Sequence, residues 1–224
     1  DLAKPTPLEV NPLDKNAIVD WLEANPDNIW ALNTTSANLV EEEKFLEAIP
    51  LLERSIRLHP RQRGGGSPYG LLARAHRELG QAEAELAVLE QWAGIEDAAI
   101  KLYGRLMEIY AKRENWEAVD RLAKRFFSAN PLSPIGHRYM ALSAQQTGNT
   151  AATVRPLKRL LLLDPADPVD LHFRLATALA DTAPAEAKRH ALQALEDAPR
   201  FRAAQKLLTR LAKPKPPAEE AKAQ

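Results

Sequence analysis

The chain of 224 residues contains no cysteine, and this absence removes several kinds of chemistry. Disulfide bonds, thiolate metal ligands and cysteine nucleophiles are all excluded. The absence does not indicate a cellular compartment, because cysteine-free proteins occur in oxidising and in reducing surroundings. Any function must therefore come from side chains other than thiols.

A charge excess of either sign is also missing, since 30 lysines and arginines balance 30 aspartates and glutamates. A balanced chain does not carry the strong overall field that is typical of nucleic-acid or anionic-membrane binding. Long hydrophobic runs are absent as well. The densest apolar stretch is the run of leucines at 160–163, whereas a membrane helix needs roughly 18 or more apolar residues. We expect neither a nucleic-acid partner nor membrane insertion.

Motifs for catalysis or metal binding are not found in the sequence. The five histidines are scattered and form no His-x-x-x-His pair: His59, His76, His137, His172 and His190. The glycine run at 64–66 lacks the Gly-Lys-Ser/Thr ending and the preceding strand of a phosphate-binding loop. No nucleophile lies in a recognisable catalytic turn. We predict that the chain is not an enzyme and binds no metal or cofactor.

The sequence does contain a regular period. Five prolines mark it, at Pro26, Pro60, Pro131, Pro165 and Pro199. The gaps between them are 34, 71, 34 and 34 residues, and 71 is two 34-residue units plus three. A fixed period of this length is typical of repeat arrays, in which each unit needs its neighbours to cover its apolar face.

The three additional residues are explained by a glycine-rich insertion after Pro60. Removing residues 63–65 places the later part of the chain in register and gives repeats at 29–62, 66–99, 100–133, 134–167 and 168–201. Asp97 stands where the other repeats have proline. We also predict an extended lead at 1–12, a leading helix at 13–24, a closing helix at 202–212 and a disordered, proline-rich tail at 213–224.

Each repeat has the apolar spacing of two helices. In the first repeat, Phe45, Ala48, Leu52 and Ile56 are three or four residues apart, which places them on one helix face. The repeat closes at Pro60, because proline lacks the N–H that would continue the helix. No alternating pattern typical of strands competes with this helical period.

These residues resemble the tetratricopeptide repeat (TPR) family, in the manner of bacterial TPR arrays. The matching features are small residues after the turn, an aromatic or leucine four residues later, and the closing proline; Gly80 and Gly148 lie at the turn where the family favours glycine. In the third repeat, Ala118 comes one residue early. The resemblance covers about residues 13 to 212 and implies an all-α, right-handed α-solenoid of about twelve helices.

The resemblance also implies that the first helix of each repeat faces a concave groove. The candidate peptide-binding residues are Trp30, Asn33, Arg74, Arg77, Lys101, Arg105, Glu108, Arg138, Gln145, His172, Lys206 and Arg210. Because most of their charges are positive, one hypothesis is a protein scaffold that binds an extended, acidic peptide through its arginines. In the competing interpretation these side chains are only solvated, or Arg74 and Arg77 pair with Glu78 or Glu108.

The sequence can be compared with three other interpretations. A receptor for chaperone tails is not favoured, because only Lys101 and Arg105 match the five-residue clamp of TPR co-chaperones. The amino-acid sequence at the repeat ends is similar to that of accessory, substrate-recruiting tails in larger bacterial metallopeptidase-like proteins. The third interpretation is a module that associates with itself, which would require Trp116 or the Phe126–Phe127 pair to be exposed. Otherwise we expect a monomer or a weak homo-oligomer.

Overall fold

The protein was analysed as a computed structural model that describes residues 11, 14–63, 67–97, 99–163 and 167–212. These residues form twelve α-helices and no strand, which confirms the all-α class and the expected number of helices. The helices are α1 (Lys15–Ala24), α2 (Ile29–Glu41), α3 (Phe45–Leu58), α4 (Pro68–Glu78), α5 (Ala82–Ala93), α6 (Ile100–Lys112), α7 (Trp116–Ala129), α8 (Pro134–Gln146), α9 (Thr150–Leu162), α10 (Pro168–Leu179), α11 (Pro184–Asp197) and α12 (Arg202–Ala212).

The helices pair along the chain. From α2 to α11, one pair falls within each predicted repeat, while α1 and α12 fall within the predicted leading and closing helices. The division into repeats itself stays a prediction. Most of the predicted lead, the glycine insertion at 64–66, Pro165 and the predicted tail lie outside the described residues. In the part of the chain that the structure describes, none of the helices combines the length and the hydrophobicity needed to cross a bilayer.

Four of the turns within helix pairs share one backbone design. Each places a single residue in the left-handed region: Glu43 (φ 60°), Gly80 (φ 71°), Glu114 (φ 54°) and Gly148 (φ 71°). The next residue in each turn donates its N–H to the carbonyl five residues earlier, at 2.8–2.9 Å. This is the hydrogen bond of a Schellman motif, which satisfies the last carbonyls of a helix. Glycine takes the conformation without strain, whereas glutamate does not.

The chain divides into two compact units, residues 1–109 and 110–224, which are described separately. In the first unit, the main core lies where α2, α3 and α4 meet. Val40, Ala48 and Leu52 are fully buried there, together with Tyr69 and Leu72 of α4. The Tyr69 hydroxyl donates to the carbonyl of Pro60 at 3.0 Å and so ties the start of α4 to the end of the preceding helix pair.

In the second unit, alanines fill the contact between α10 and α11. Ala176, Ala187, Ala191 and Ala194 are completely buried. Leu157 and Leu175 pack in the neighbouring core with Ala141 and Ala187. Small side chains allow two helix backbones to approach closely, so these positions permit a close contact between α10 and α11.

Candidate functional site

The first unit contains a groove between α4, α5 and the start of α6, with a volume of about 780 Å³. We call it the α4–α6 groove. Helix α4 and its N-cap contribute Ser67, Gly70, Leu71, Ala73, Arg74 and Arg77; α5 contributes Glu85, Leu89 and Trp92; the connection to α6 and the start of α6 contribute Glu96, Ala99, Ile100, Lys101, Leu102 and Arg105. Four of the twelve predicted peptide-binding residues meet in this groove, namely Arg74, Arg77, Lys101 and Arg105.

Helix α4 presents one continuous face to the groove. Pro68 occupies the first turn, where its fixed φ suits a helix start and its missing N–H is not needed. Residues 67, 70, 71, 74 and 77 then recur at intervals of three or four, so they lie on one side of the helix. The opposite side carries Leu72, which is buried in the core.

The wall of the groove depends on a contact between Gly70 and Trp92. A Cβ atom at position 70 would lie 3.2 Å from Cη2 of the Trp92 ring, closer than most Cβ contacts. The missing side chain at the third residue of α4 therefore gives the indole room to lie against the helix. The Trp92 Nε1 and the Ser67 Oγ are both buried with no hydrogen-bond partner among the described residues.

A buried ion pair closes one end of the groove. The carboxylate of Glu85 accepts two hydrogen bonds from Arg105, from Nε at 2.7 Å and from Nη2 at 2.8 Å. Nη1 of Arg105 donates to Glu108 at 3.0 Å. The hydrogen bond to Glu85 is the main reason why the pKa of Arg105 is raised. All three guanidinium nitrogens are thus engaged within the protein, and Arg105 connects α5 to α6.

The other three cations of the groove are more available. Arg74 and Lys101 are exposed and form neither a hydrogen bond nor an ion pair with any other described residue. Arg77 pairs with its neighbour Glu78 at 3.0 Å, as one of the competing interpretations expected. Exposed ion pairs of this kind contribute little and exchange readily with solvent. The groove therefore keeps a positive rim even though the chain as a whole is neutral.

Two further candidates of the first unit lie on α2 and do not line this groove. Asn33 is engaged within the protein, since its Nδ2 donates to Gln62 at 3.2 Å and its Oδ1 accepts from the Ser55 hydroxyl at 2.6 Å. Trp30 is half-buried and packs against Ile18 and Ala31. Both residues have structural roles in the first helix pairs.

Glu108, on α6, is the last candidate of the first unit and accepts a hydrogen bond from Arg105. The other five candidates lie in the second unit. Arg138, Lys206 and Arg210 are exposed on α8 and α12. Gln145 accepts a hydrogen bond from Arg174 at 3.2 Å. Of the aromatic residues considered for self-association, Phe126 is completely buried and cannot provide an exposed surface, while Trp116 and Phe127 are half-buried.

His172 forms a close pair with His190 of α11. Their Nδ1 atoms are 2.9 Å apart and the rings are stacked with centroids 5.1 Å apart. Burial lowers the pKa of both imidazoles, and the mutual repulsion of two charged rings lowers the pKa of His190 further. The nearby charged groups are Glu186 and Lys158 on the side of His190, and Asp197 and Glu196 on the side of His172. One ring must donate and the other accept, so the pair holds together only while at least one ring is neutral.

Known proteins share this architecture. No protein-family model and no curated protein matches the chain. Among solved structures, the crystal structure of YrrB, described as a TPR protein with an unusual peptide-binding site, superposes with a TM-score of 0.63 at 12% identity over 86% of this chain and 98% of YrrB. The chain has the tetratricopeptide repeat fold.

Two other solved structures agree with this TPR fold. The crystal structure of MamA gives a TM-score of 0.58 at 12% identity, covering 83% of this chain and 98% of MamA. A tetratricopeptide repeat protein from Parabacteroides merdae ATCC 43184 gives 0.54 at 14% identity, covering 89% of this chain and 91% of that protein. At such low identities the likeness concerns the fold.

The TPR pattern did not point to the apolar part of the groove. Leu71, Leu89, Trp92 and Ile100 line it, and none of them was among the predicted site residues. Leu89 and Trp92 lie on α5, the second helix of its pair, whereas the family pattern assigns the groove to first helices. A usable signal was the glycine at position 70, near the start of α4, because a glycine inside a helical pattern often has a packing reason.

Proposed function

We propose that the chain is a non-catalytic protein-interaction scaffold that binds an extended, acidic peptide in the α4–α6 groove. The observation that supports this most directly concerns Arg74 and Lys101. Both cations lie at the rim of a groove with an apolar floor, and neither forms an ion pair with another described residue. An acidic peptide would supply the missing counter-charges, and arginine can bind a carboxylate through two parallel hydrogen bonds. YrrB, which shares the fold, is itself described as having a peptide-binding site.

Arg105 has a supporting role in this proposal. Since Glu85 and Glu108 occupy its guanidinium, it holds α6 beside α5 and keeps Lys101, one turn away, at the rim of the groove. The ligand carboxylates are left to Arg74, Arg77 and Lys101. Among the described residues, no group of three or more histidine, aspartate or glutamate side chains is arranged to hold a metal ion.

The test is fluorescence anisotropy with a labelled glutamate-rich peptide of about twelve residues. We expect saturable binding that weakens as salt is added, because the contacts are exposed charges. Reversing both cations, in Arg74→Glu/Lys101→Glu, should weaken binding by about tenfold or more, since each reversal replaces an attraction by a repulsion of about 0.5–1 kcal/mol.

The control is Arg121→Glu/Arg200→Glu, which changes the net charge equally at two exposed arginines outside the groove. It should bind the peptide like the unmodified protein. Absence of saturable binding, or an equal loss of affinity in the control, would overturn the proposal.

A further inference from the structure

The two ends of the α4–α6 groove differ in chemistry. The tight turn at Gly80 joins α4 to α5, so the end of α4 and the start of α5 lie together; this end contains Arg77, Glu85 and the Arg105 that binds Glu85. Seven residues further along α5, about 10 Å away, Trp92 contacts Gly70 near the start of α4. The groove therefore has a charged end and a second end without buried charge.

The second end carries apolar side chains beside the charged groups of Glu96 and Lys101, and it is open to solvent. Trp92 and Leu71 are half-buried there, and Ile100, the first residue of α6, lies at the same end because only a short connection separates it from α5. Ile100 keeps 49% of its surface exposed. A single exposed isoleucine is ordinary. Three apolar side chains that line the same concave surface can be covered by a ligand, with a gain in free energy that salt does not screen.

We propose that the ligand of this groove is amphipathic, with one bulky apolar side chain at the Trp92–Ile100 end and acidic residues toward Arg74. This inference rests on the proposed function and adds where the apolar and the acidic residues of the ligand lie along the groove. Arg74 is one helical turn from Gly70, about 6 Å along α4. An extended peptide advances about 3.3 Å per residue. The acidic residue thus lies about two positions from the apolar one.

The test compares two labelled peptides of equal length and charge. One carries leucine two positions from a pair of glutamates, and the other carries serine at that place. The unmodified protein should bind the leucine peptide about tenfold tighter, and this preference should persist at high salt. In Ile100→Gln the affinity for the leucine peptide should fall several-fold more than the affinity for the serine peptide, so the preference should shrink.

A matched control and a second variant locate the effect. Leu46→Gln removes an exposed apolar side chain of the first unit that does not line the groove, and it should keep the full preference. Gly70→Ala, which presses on the Trp92 ring, should weaken binding of the leucine peptide more than binding of the serine peptide and so reduce the preference. Circular dichroism confirms that each variant is folded.

The outcomes separate the two proposals. If neither peptide binds, the proposed function itself is wrong. If both bind with equal affinity, the groove binds acidic peptides without an apolar contact and the present inference is overturned. If the leucine peptide is preferred but Ile100→Gln and Gly70→Ala leave that preference unchanged, the apolar contact lies elsewhere and the inference is likewise overturned.

Discussion

The α4–α5 pair of the first unit and the α10–α11 pair of the second have the same TPR design but opposite interiors. In α4–α5, a glycine admits a large indole, and a groove remains beside it. In α10–α11, buried alanines fill the contact between the helices. The difference indicates that the volume of a few side chains decides whether a helix pair leaves a groove or forms a closely packed contact. The fold itself does not decide it.

The polar groups near the two helix pairs also differ, in how their charges are matched. The carboxylate of Glu85 is buried and bonded twice to Arg105, so a charged group is matched by its opposite. The His172–His190 pair consists of two groups that repel each other once both are protonated. The first unit thus depends on a permanent charge pair, whereas the second depends on a pair that must stay at least partly neutral.

The largest expected effect is in the first unit. Glu85→Ala leaves the Arg105 guanidinium, three-quarters buried, without its main partner. Breaking a buried ion pair typically costs 3–5 kcal/mol, and because Arg105 is partly exposed we expect a free energy of unfolding lower by about 2–3 kcal/mol. Urea unfolding followed by circular dichroism measures it. Glu47→Ala, at an exposed glutamate in the first turn of α3, is the matched control; similar losses in the two variants would contradict the role of the ion pair.

A somewhat smaller effect is expected in the closely packed contact of the second unit. Ala191→Leu adds three carbon atoms at a completely buried position between α10 and α11. Overpacking a core typically costs 1–3 kcal/mol. The same substitution at the exposed Ala185 of α11 should be almost neutral. Thermal unfolding of both variants checks this, and a neutral Ala191→Leu would show that α10 and α11 are less closely packed than described.

The histidine pair predicts a smaller, pH-dependent effect. Both imidazoles have a folded-state pKa below the ordinary value of 6.5, so the unfolded chain binds more protons than the folded one as the pH falls. The contribution of the pair to the free energy of unfolding is therefore fully present above pH 6.5, and it is lost as the pH falls through the folded-state pKa values. His190→Gln should reduce this decline between pH 7 and pH 5, as measured by urea unfolding at a series of pH values. His59→Gln, at an exposed histidine, should not. An unchanged decline in His190→Gln would refute the assignment.

The smallest expected effect concerns the turns, where the two units are alike. Among the described residues, each unit has one glutamate and one glycine in the left-handed conformation. Replacing Glu43 or Glu114 by glycine relieves a strain of about 1–2 kcal/mol, offset by the greater freedom of glycine in the unfolded chain. We expect a net gain of about 0.5–1 kcal/mol. Gly148→Ala should lose about as much. Equal stabilities of all three variants would contradict this account of the turns.

Local signals made much of this fold predictable. The proline period and the glycines at 80 and 148 mark helix ends and turns, and these depend on residues close together in the chain. The contacts of the candidate site depend on residues from different helices. Arg105 was predicted to face the ligand, but its main partner, Glu85, lies 20 residues away on α5. The Trp92–Gly70 contact and the His172–His190 pair likewise join separate helices, so the sequence around one partner does not identify the other.

The absent side chain at position 70 has a consequence for how this surface could change over time. A methyl group there would press on the indole of Trp92, and a larger group would displace it. One nucleotide change in a glycine codon suffices to introduce alanine or a larger residue such as valine. The depth of the groove can therefore be reduced in graded steps by mutation of a single codon, while the ion pair at the opposite end and the helix framework remain as they are.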